Sequence, residues 1–186
     1  MFRLEAIIQS HKRVDLLAAA IGFNEFRPGR HKTRDRRNGK TRESDVTASW
    51  IGFFMPSFSV HSAVMGFDVS ALTYDRKPLD PIYRTAIATF EPRSIDPIDI
   101  YVLDSERKFD PLNAALAELP WNSTEWHLTL DGTSYTFLSQ TMTLSGFLSF
   151  ANPIEKSLLN LIKLMKESQT EILENGNRLD IGNPRM

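Results

Sequence analysis

The sequence predicts an α+β fold: a mainly antiparallel sheet with an N-terminal helix, a short middle helix and a long C-terminal helix packed on one face. Two observations favour this class. Segments of β-type composition follow one another in the middle of the chain without strict alternation with helices, which is typical of an antiparallel sheet. The pair Asp131-Gly132 lies between alternating apolar residues, which is a strong hairpin signal. With 186 residues, 41% of them hydrophobic and twelve of them Phe, the chain can form one domain with a real core.

The N-terminal helix is predicted over Phe2–Ile21. Apolar residues recur there with helical spacing, and Gly22 follows as a residue that commonly ends helices. An alternative is a short strand followed by a helix from His11, because the apolar residues among the first eight positions also alternate.

Capping signals predict the two later helices. Asp110-Pro111 places a capping residue before a proline in the first turn, and Pro120 ends this short helix. Asn152-Pro153 predicts the start of the long helix in the same way, and Asn175-Gly176 ends it. The predicted apolar stripe of the long helix consists of Leu158, Leu159, Ile162, Met165 and Ile172.

The strands are predicted from residues of high β-propensity and from their alternation. A first strand covers residues 46–54, Pro56-Ser57 breaks the chain, and a second long strand follows, with a bulge at Gly66. The remaining predicted strands are Ile82–Phe90, Ile98–Leu103, Trp126–Leu130, Thr133–Leu138 and Thr141–Phe150.

A basic arm at residues 27–42 interrupts the predicted elements. It holds eight Lys or Arg and one acid, a net charge of +7, whereas the rest of the chain has 14 bases against 22 acids, a net charge of −8. The arm has no apolar residue to bury, so it is predicted to be a mobile loop or a frayed hairpin. Its candidate binding residues are Arg27, Arg30, Lys32, Arg34, Arg36, Arg37, Lys40 and Arg42.

The predicted organisation is one globular domain over residues 1–176, with a basic mobile loop at 27–43 and a loose polar tail at 177–186. The arm has three interpretations. It is a solvated loop, or it neutralises nucleic-acid phosphates, or it contacts an acidic protein surface. The arm has no aromatic residue for stacking on bases, and the acidic body would repel a nucleic-acid backbone.

The composition excludes several kinds of chemistry. There is no cysteine, which rules out disulfides, thiol catalysis and zinc sites with cysteine ligands. The N-terminus has no secretory signal pattern, and no stretch is apolar enough for a transmembrane helix, so a cytoplasmic protein is expected. No two of the four His are close in sequence, and there is no glycine-rich phosphate loop, so we expect neither a metal nor a cofactor.

Two catalytic arrangements can be drawn from the sequence. The acids Asp96, Asp99 and Asp104 bracket a short apolar strand, as in nucleases that hold Mg²⁺ near a strand end, although they also fit turn chemistry. A triad of Ser62, His127 and Asp131 is possible on residue type alone, which is a weak basis.

From these observations we expect a non-enzymatic protein-binding module. Its concrete form is an inhibitor or immunity-type protein that masks a toxin or an enzyme by charge and shape complementarity. The alternative is a nucleic-acid-binding protein or accessory subunit that uses the basic arm, and the third hypothesis is a metal-dependent nuclease. The expectation leans against an enzyme, because no nucleophile, metal or phosphate-loop motif is present.

Overall fold

The computed structural model describes residues 2–34, 41–71, 82–106, 110–119, 124–125, 132–143 and 145–180. Its helices are α1 (Phe2–Ala20), α2 (Asp110–Ala117) and α3 (Lys156–Asn175). Its strands are β1 (Gly29–Arg34), β2 (Thr41–Pro56), β3 (His61–Ala71), β4 (Ile82–Phe90), β5 (Pro97–Ser105), β6 (Thr124–Glu125), β7 (Thr133–Thr141), β8 (Ser145–Ala151) and β9 (Asn177–Arg178). The predicted α+β class and the order of its helices are confirmed.

In the described part of the chain, the strands form one sheet in the order β6-β8-β7-β2-β3-β4-β5-β9, with β1 also paired to β2. All pairs are antiparallel except the short pair of β6 with β8. Strand β2 is long enough to hold two partners on one side. Its residues 41–46 pair with β1, and its residues 48–56 pair with β7.

Helices cover both faces of the sheet. Helix α1 packs on one face, where Val14, Leu17 and Ile21 join the inward residues of β2, β3 and β4. Helices α2 and α3 pack on the other face, against side chains of β2, β7 and β8. Strand β3 is buried on both faces over residues 63–67, which explains its continuous run of small and apolar residues. The sequence predicted that the helices pack on one face of the sheet. In the structure, α2 and α3 share one face of the sheet, and α1 packs on the opposite face.

The long helix begins later than its predicted cap. Asn152 is not the N-cap; it has a left-handed backbone (φ 47°), which Asn tolerates better than most residues, and the helix starts only at Lys156. Glu155 occupies the N-cap position and forms no side-chain capping bond. The predicted end of the helix at Asn175-Gly176 is confirmed, and Leu158, Ile162, Met165 and Ile172 of the predicted stripe are buried. Leu159 was wrongly placed in the stripe, because it is 49% exposed.

Gly66 is not the site of a bulge. The register of β3 with β2 and β4 is regular through Gly66, and the irregularity in β2 lies between Val46 and Ala48. A Cβ at Gly66 would lie 2.3 Å from the indole of Trp50, so the glycine makes room for that ring.

Two further predictions concern the C-terminal tail and the strand expected before β7. The tail, expected to be loose, begins with β9, which pairs with Tyr101 and Val102 of β5, and the Leu179 amide donates to the Ile100 carbonyl at 2.8 Å. The predicted strand Trp126–Leu130 lies outside the described residues. Its expected hairpin with β7 is wrong, because β7 pairs along one edge with β2 and along the other with β8.

Candidate functional site

The first half of the basic arm forms strand β1 of a β-hairpin. Strand β1 pairs with the start of β2, so that His31 lies opposite Ser44 and Thr33 opposite Arg42. One face of this hairpin is buried, with His31, Thr33 and Ser44 beside the apolar Val46. The His31 ring meets the Phe23 ring edge-on and bonds the Arg27 carbonyl at 2.9 Å. This polar packing gives the hairpin an attachment that the sequence did not reveal; the mobility of the arm stays a prediction.

Acidic residues lie beside three basic residues at the start of the arm. Arg27 forms an ion pair with Glu25, and Arg30 approaches Asp45 on β2 at 3.3 Å. Lys32 lies directly opposite Glu43, and such opposite residues share a face of the sheet. The side chains of Arg34 and Arg42, and the residues Arg36, Arg37 and Lys40, lie outside the described set.

By sequence, residues 34–42 hold five bases and Asp35 as their only acid, a net charge of +4. Any polyanion that binds the arm should depend on this segment more than on Arg30 or Lys32.

The three acids around β5 do not converge. Asp104 accepts two hydrogen bonds from the Arg84 guanidinium, at 2.8 and 2.9 Å, and Asp99 is paired with Arg178. Asp96 and Asp104 mark opposite ends of the strand, about 26 Å apart at about 3.3 Å per residue. Among the described residues, no group of three or more His, Asp or Glu could hold a metal ion.

The drawn catalytic triad also gains no support. Ser62 accepts a hydrogen bond from the Gln169 amide of α3 at 3.1 Å, which ties β3 to that helix. His127 and Asp131 lie outside the described residues.

A buried arginine forms the most unusual polar cluster. Arg13 of α1 is only 2% exposed, and its guanidinium donates to the Ser94 carbonyl at 2.6 and 2.9 Å and to the Glu91 carbonyl at 3.3 Å. It also stacks over the Phe90 ring, 4.5 Å from the centroid. Arg13 thereby fixes the loop between β4 and β5 against α1.

His61 completes this cluster. Its Nδ1 lies 3.2 Å from the Arg13 guanidinium, which can only donate, so Nδ1 is the unprotonated, accepting nitrogen. Burial and the neighbouring Arg13 charge lower the pKa of His61, and a hydrogen bond with the Pro56 backbone partly opposes this. Burial also lowers the pKa of Arg13.

Exposed apolar side chains gather at the end of the sheet beside this cluster. Phe58 and Val60 lie in the turn between β2 and β3, and Phe58 is 84% exposed. Ile98 is the second residue of β5, next to the pairing of Phe90 with Pro97. We call Phe58, Val60, Ile98 and Ile154 the strand-end ridge.

Ile154 belongs to the same end of the sheet. Pro56 pairs with Thr133, and Ser134 pairs with Ala151, so the segment after β8 emerges beside the turn after β2. Ile154 is 82% exposed. From β8 to β5 the ridge spans five strand spacings of about 4.8 Å, or about 24 Å.

The ridge has a fixed base. The amide and hydroxyl of Ser57 both donate to the Gly132 carbonyl at 3.0 Å. A Cβ at Gly132 would lie 2.4 Å from the Asn152 side chain, so these two segments are in close contact. Sequence reasoning missed the ridge, and the available signal was an isolated Phe between two turn residues, Ser57 and Ser59.

Comparisons with family models, with curated proteins and with solved structures find no match for this chain. Within the described residues, none of the helices has the length and apolarity required to cross a bilayer.

Proposed function

We propose that this protein is a non-enzymatic protein-binding module of the inhibitor or immunity type, which masks a toxin or an enzyme. The observation that carries the proposal is the strand-end ridge, where Phe58 and Ile154 keep more than four fifths of their surface in water. Large exposed apolar side chains on a fixed base are typical of protein interfaces, where buried aromatic anchors contribute most of the binding energy.

The charge of the protein indicates the kind of partner. Outside the basic arm the chain carries −8, and the exposed acids Glu91, Asp96 and Glu155 lie near the ridge. A partner with an apolar pocket and a basic rim would match this surface, with the acids acting mainly on the rate of association.

The test compares baits that differ only at the ridge. The wild type and a Phe58→Ser/Ile154→Ser variant are used to retrieve proteins from the native host at low and high salt, with quantification by mass spectrometry. Met142→Ser/Phe147→Ser is the matched control, because these exposed apolar residues lie at the other end of β7 and β8. We expect one partner to be lost with the ridge variant and retained by the control.

Titration of the purified partner then gives the magnitude. Phe58→Ala should weaken binding about 30-fold, since an anchor residue contributes about 2 kcal/mol. If no retrieved protein depends on the ridge, or if Phe58→Ala leaves the affinity unchanged, the proposal is wrong.

A nucleic-acid-binding function through the basic arm is the second candidate, and the charge excess of residues 34–42 favours it. If five or more phosphates are contacted, log affinity for duplex DNA should fall with log salt at a slope of about −4.5 or steeper. Replacing Arg36 and Arg37 by Gln should flatten the slope by about 2, whereas replacing Arg30, which pairs with Asp45, should change it less. No binding at about 50 mM salt would remove this function.

A further inference from the structure

The outer face of α3 carries an unusual order of charges. Its bases, Lys156, Lys163 and Lys166, all precede its acids, Glu167, Glu171 and Glu174. The first turn has no acid and the last turn has no base. The helix dipole favours the opposite order, because the N-terminal end of a helix is partially positive and the C-terminal end partially negative.

The ion pair between Lys163 and Glu167 on this face has the weaker orientation. Lys163 lies 3.7 Å from Glu167, four residues later, and a Lys that precedes its Glu gains less than the reverse order. The charges of α3 are therefore poorly arranged for an isolated helix. They favour contact with a second, antiparallel helix of the same sequence, because its acids would lie opposite the bases of α3.

We propose that a second copy of this chain binds to α3 through its own α3, antiparallel and related by a two-fold axis. If the two-fold axis is perpendicular to α3 and lies level with the midpoint between Ser168 and Gln169, Lys163 lies opposite Glu174 of the second copy. The same axis places Lys166 opposite Glu171 of the second copy. Because a two-fold interface uses the same patch on both copies, each pair occurs twice.

The same face supplies apolar contact and space. Leu159 is 49% exposed and lies on this face, and Leu173, 47% exposed, lies at its flank. The described lining of the shallow, open surface here belongs to α3 alone, with Leu159, Ile162, Lys163 and Lys166 followed by Glu167, Glu171 and Glu174. Long Lys stems can cover apolar surface while their charges remain in water.

The pair should be weak and sensitive to salt. A 20-residue helix is about 30 Å long, which limits the contact to the low end of interface sizes. Exposed ion pairs weaken as the screening length falls from about 10 Å at about 0.1 M salt to about 3 Å at about 1 M. This surface is separate from the strand-end ridge, so dimer formation does not depend on the proposed function.

Sedimentation equilibrium over protein concentrations up to about 1 mM tests the proposal, since a pair with a Kd of about 1 mM is still detected there. The wild type should show a monomer–dimer equilibrium that shifts toward monomer at high salt. Lys163→Glu/Lys166→Glu and Glu171→Lys/Glu174→Lys should each be monomeric, because each places like charges opposite one another. Lys12→Glu, on the exposed side of α1, is the control and should dimerise like the wild type.

Mixing the two charge-reversed variants separates the proposal from misfolding. One variant then presents acids at positions 163, 166, 171 and 174 of α3 and the other presents bases there, so an equimolar mixture should form a heterodimer at least as strong as the wild-type dimer. Circular dichroism verifies that each variant is folded. A monomeric wild type, or a mixture that remains monomeric, would overturn the proposal.

Discussion

Replacing Arg13 by Met should destabilise the protein strongly, although Arg13 has no acidic partner in the described structure. Met preserves much of the apolar stem and removes the guanidinium. The Ser94 carbonyl then loses both of its bonds to the arginine, whereas the Glu91 carbonyl keeps the bond from the Ser94 amide at 3.0 Å.

The magnitude follows from these losses. A carbonyl left without its partner costs about 1–3 kcal/mol, and loss of the cation–π contact with Phe90 costs about 1 kcal/mol. The sum is about 2–4 kcal/mol, and relief from burying a charge shifts the result toward the lower value. Arg13→Lys should lose less, because an ammonium can still bond one carbonyl, although it cannot reproduce the planar fork.

Urea denaturation followed by circular dichroism measures this loss, with exposed Lys12→Ala as the control, expected to change stability by less than about 0.5 kcal/mol. Limited trypsin digestion adds a local measurement, because Arg93 lies in the loop that Arg13 holds and should be cut faster in Arg13→Met. A destabilisation under about 1 kcal/mol, with no faster cutting at Arg93, would refute the reasoning.

Three further predictions follow from the same contacts. Because the pKa of His61 is lowered in the folded state, the unfolded chain takes up a proton at a higher pH than the folded protein does. The free energy of unfolding should therefore fall as pH drops below about 6.5 and level off below the folded pKa. Urea denaturation at several pH values measures this fall, which should be smaller in Arg13→Met. Leu158→Ala or Ile162→Ala should cost about 2–5 kcal/mol, and a loss under about 1 kcal/mol at both would contradict their burial against the sheet. Trypsin should cut the wild type first within residues 27–42, at the bases of residues 34–42 before the ion-paired Arg30, whereas the bond after Arg27 precedes Pro28 and is not a trypsin site; first cuts elsewhere would mean that the whole arm is packed.

Periodicity and turn chemistry predicted most of the elements, because both are local properties of the chain. The helix Phe2–Ile21 and the strand Ile82–Phe90 agree with α1 and β4 within a residue. The start of α3 was missed because it depends on a distant contact. Asn152 is left-handed where its side chain packs against Gly132, twenty residues earlier, and no local pattern encodes that contact.

The polar clusters were missed for a related reason. Arg13 precedes Leu17 by one helical turn, so the two residues share a face of α1, and this spacing was a signal that Arg13 would be buried. Its partners, the carbonyls of Glu91 and Ser94, are backbone groups, and sequence does not mark which carbonyls lack a strand partner. The basic arm shows the same limit: its charge was evident, but the pairing of Arg30 with Asp45 requires the register of β1 and β2.

The buried cluster and the exposed ridge are joined through one loop. Arg13 holds the segment between Phe90 and Pro97, and His61 directly follows Val60 of the ridge. Beyond its contribution to stability, Arg13 orders the loop beside the ridge, and a surface already ordered before binding spends less entropy when a partner docks. Under the proposed function, Arg13 is thus a positioning residue for an interface that it does not itself touch.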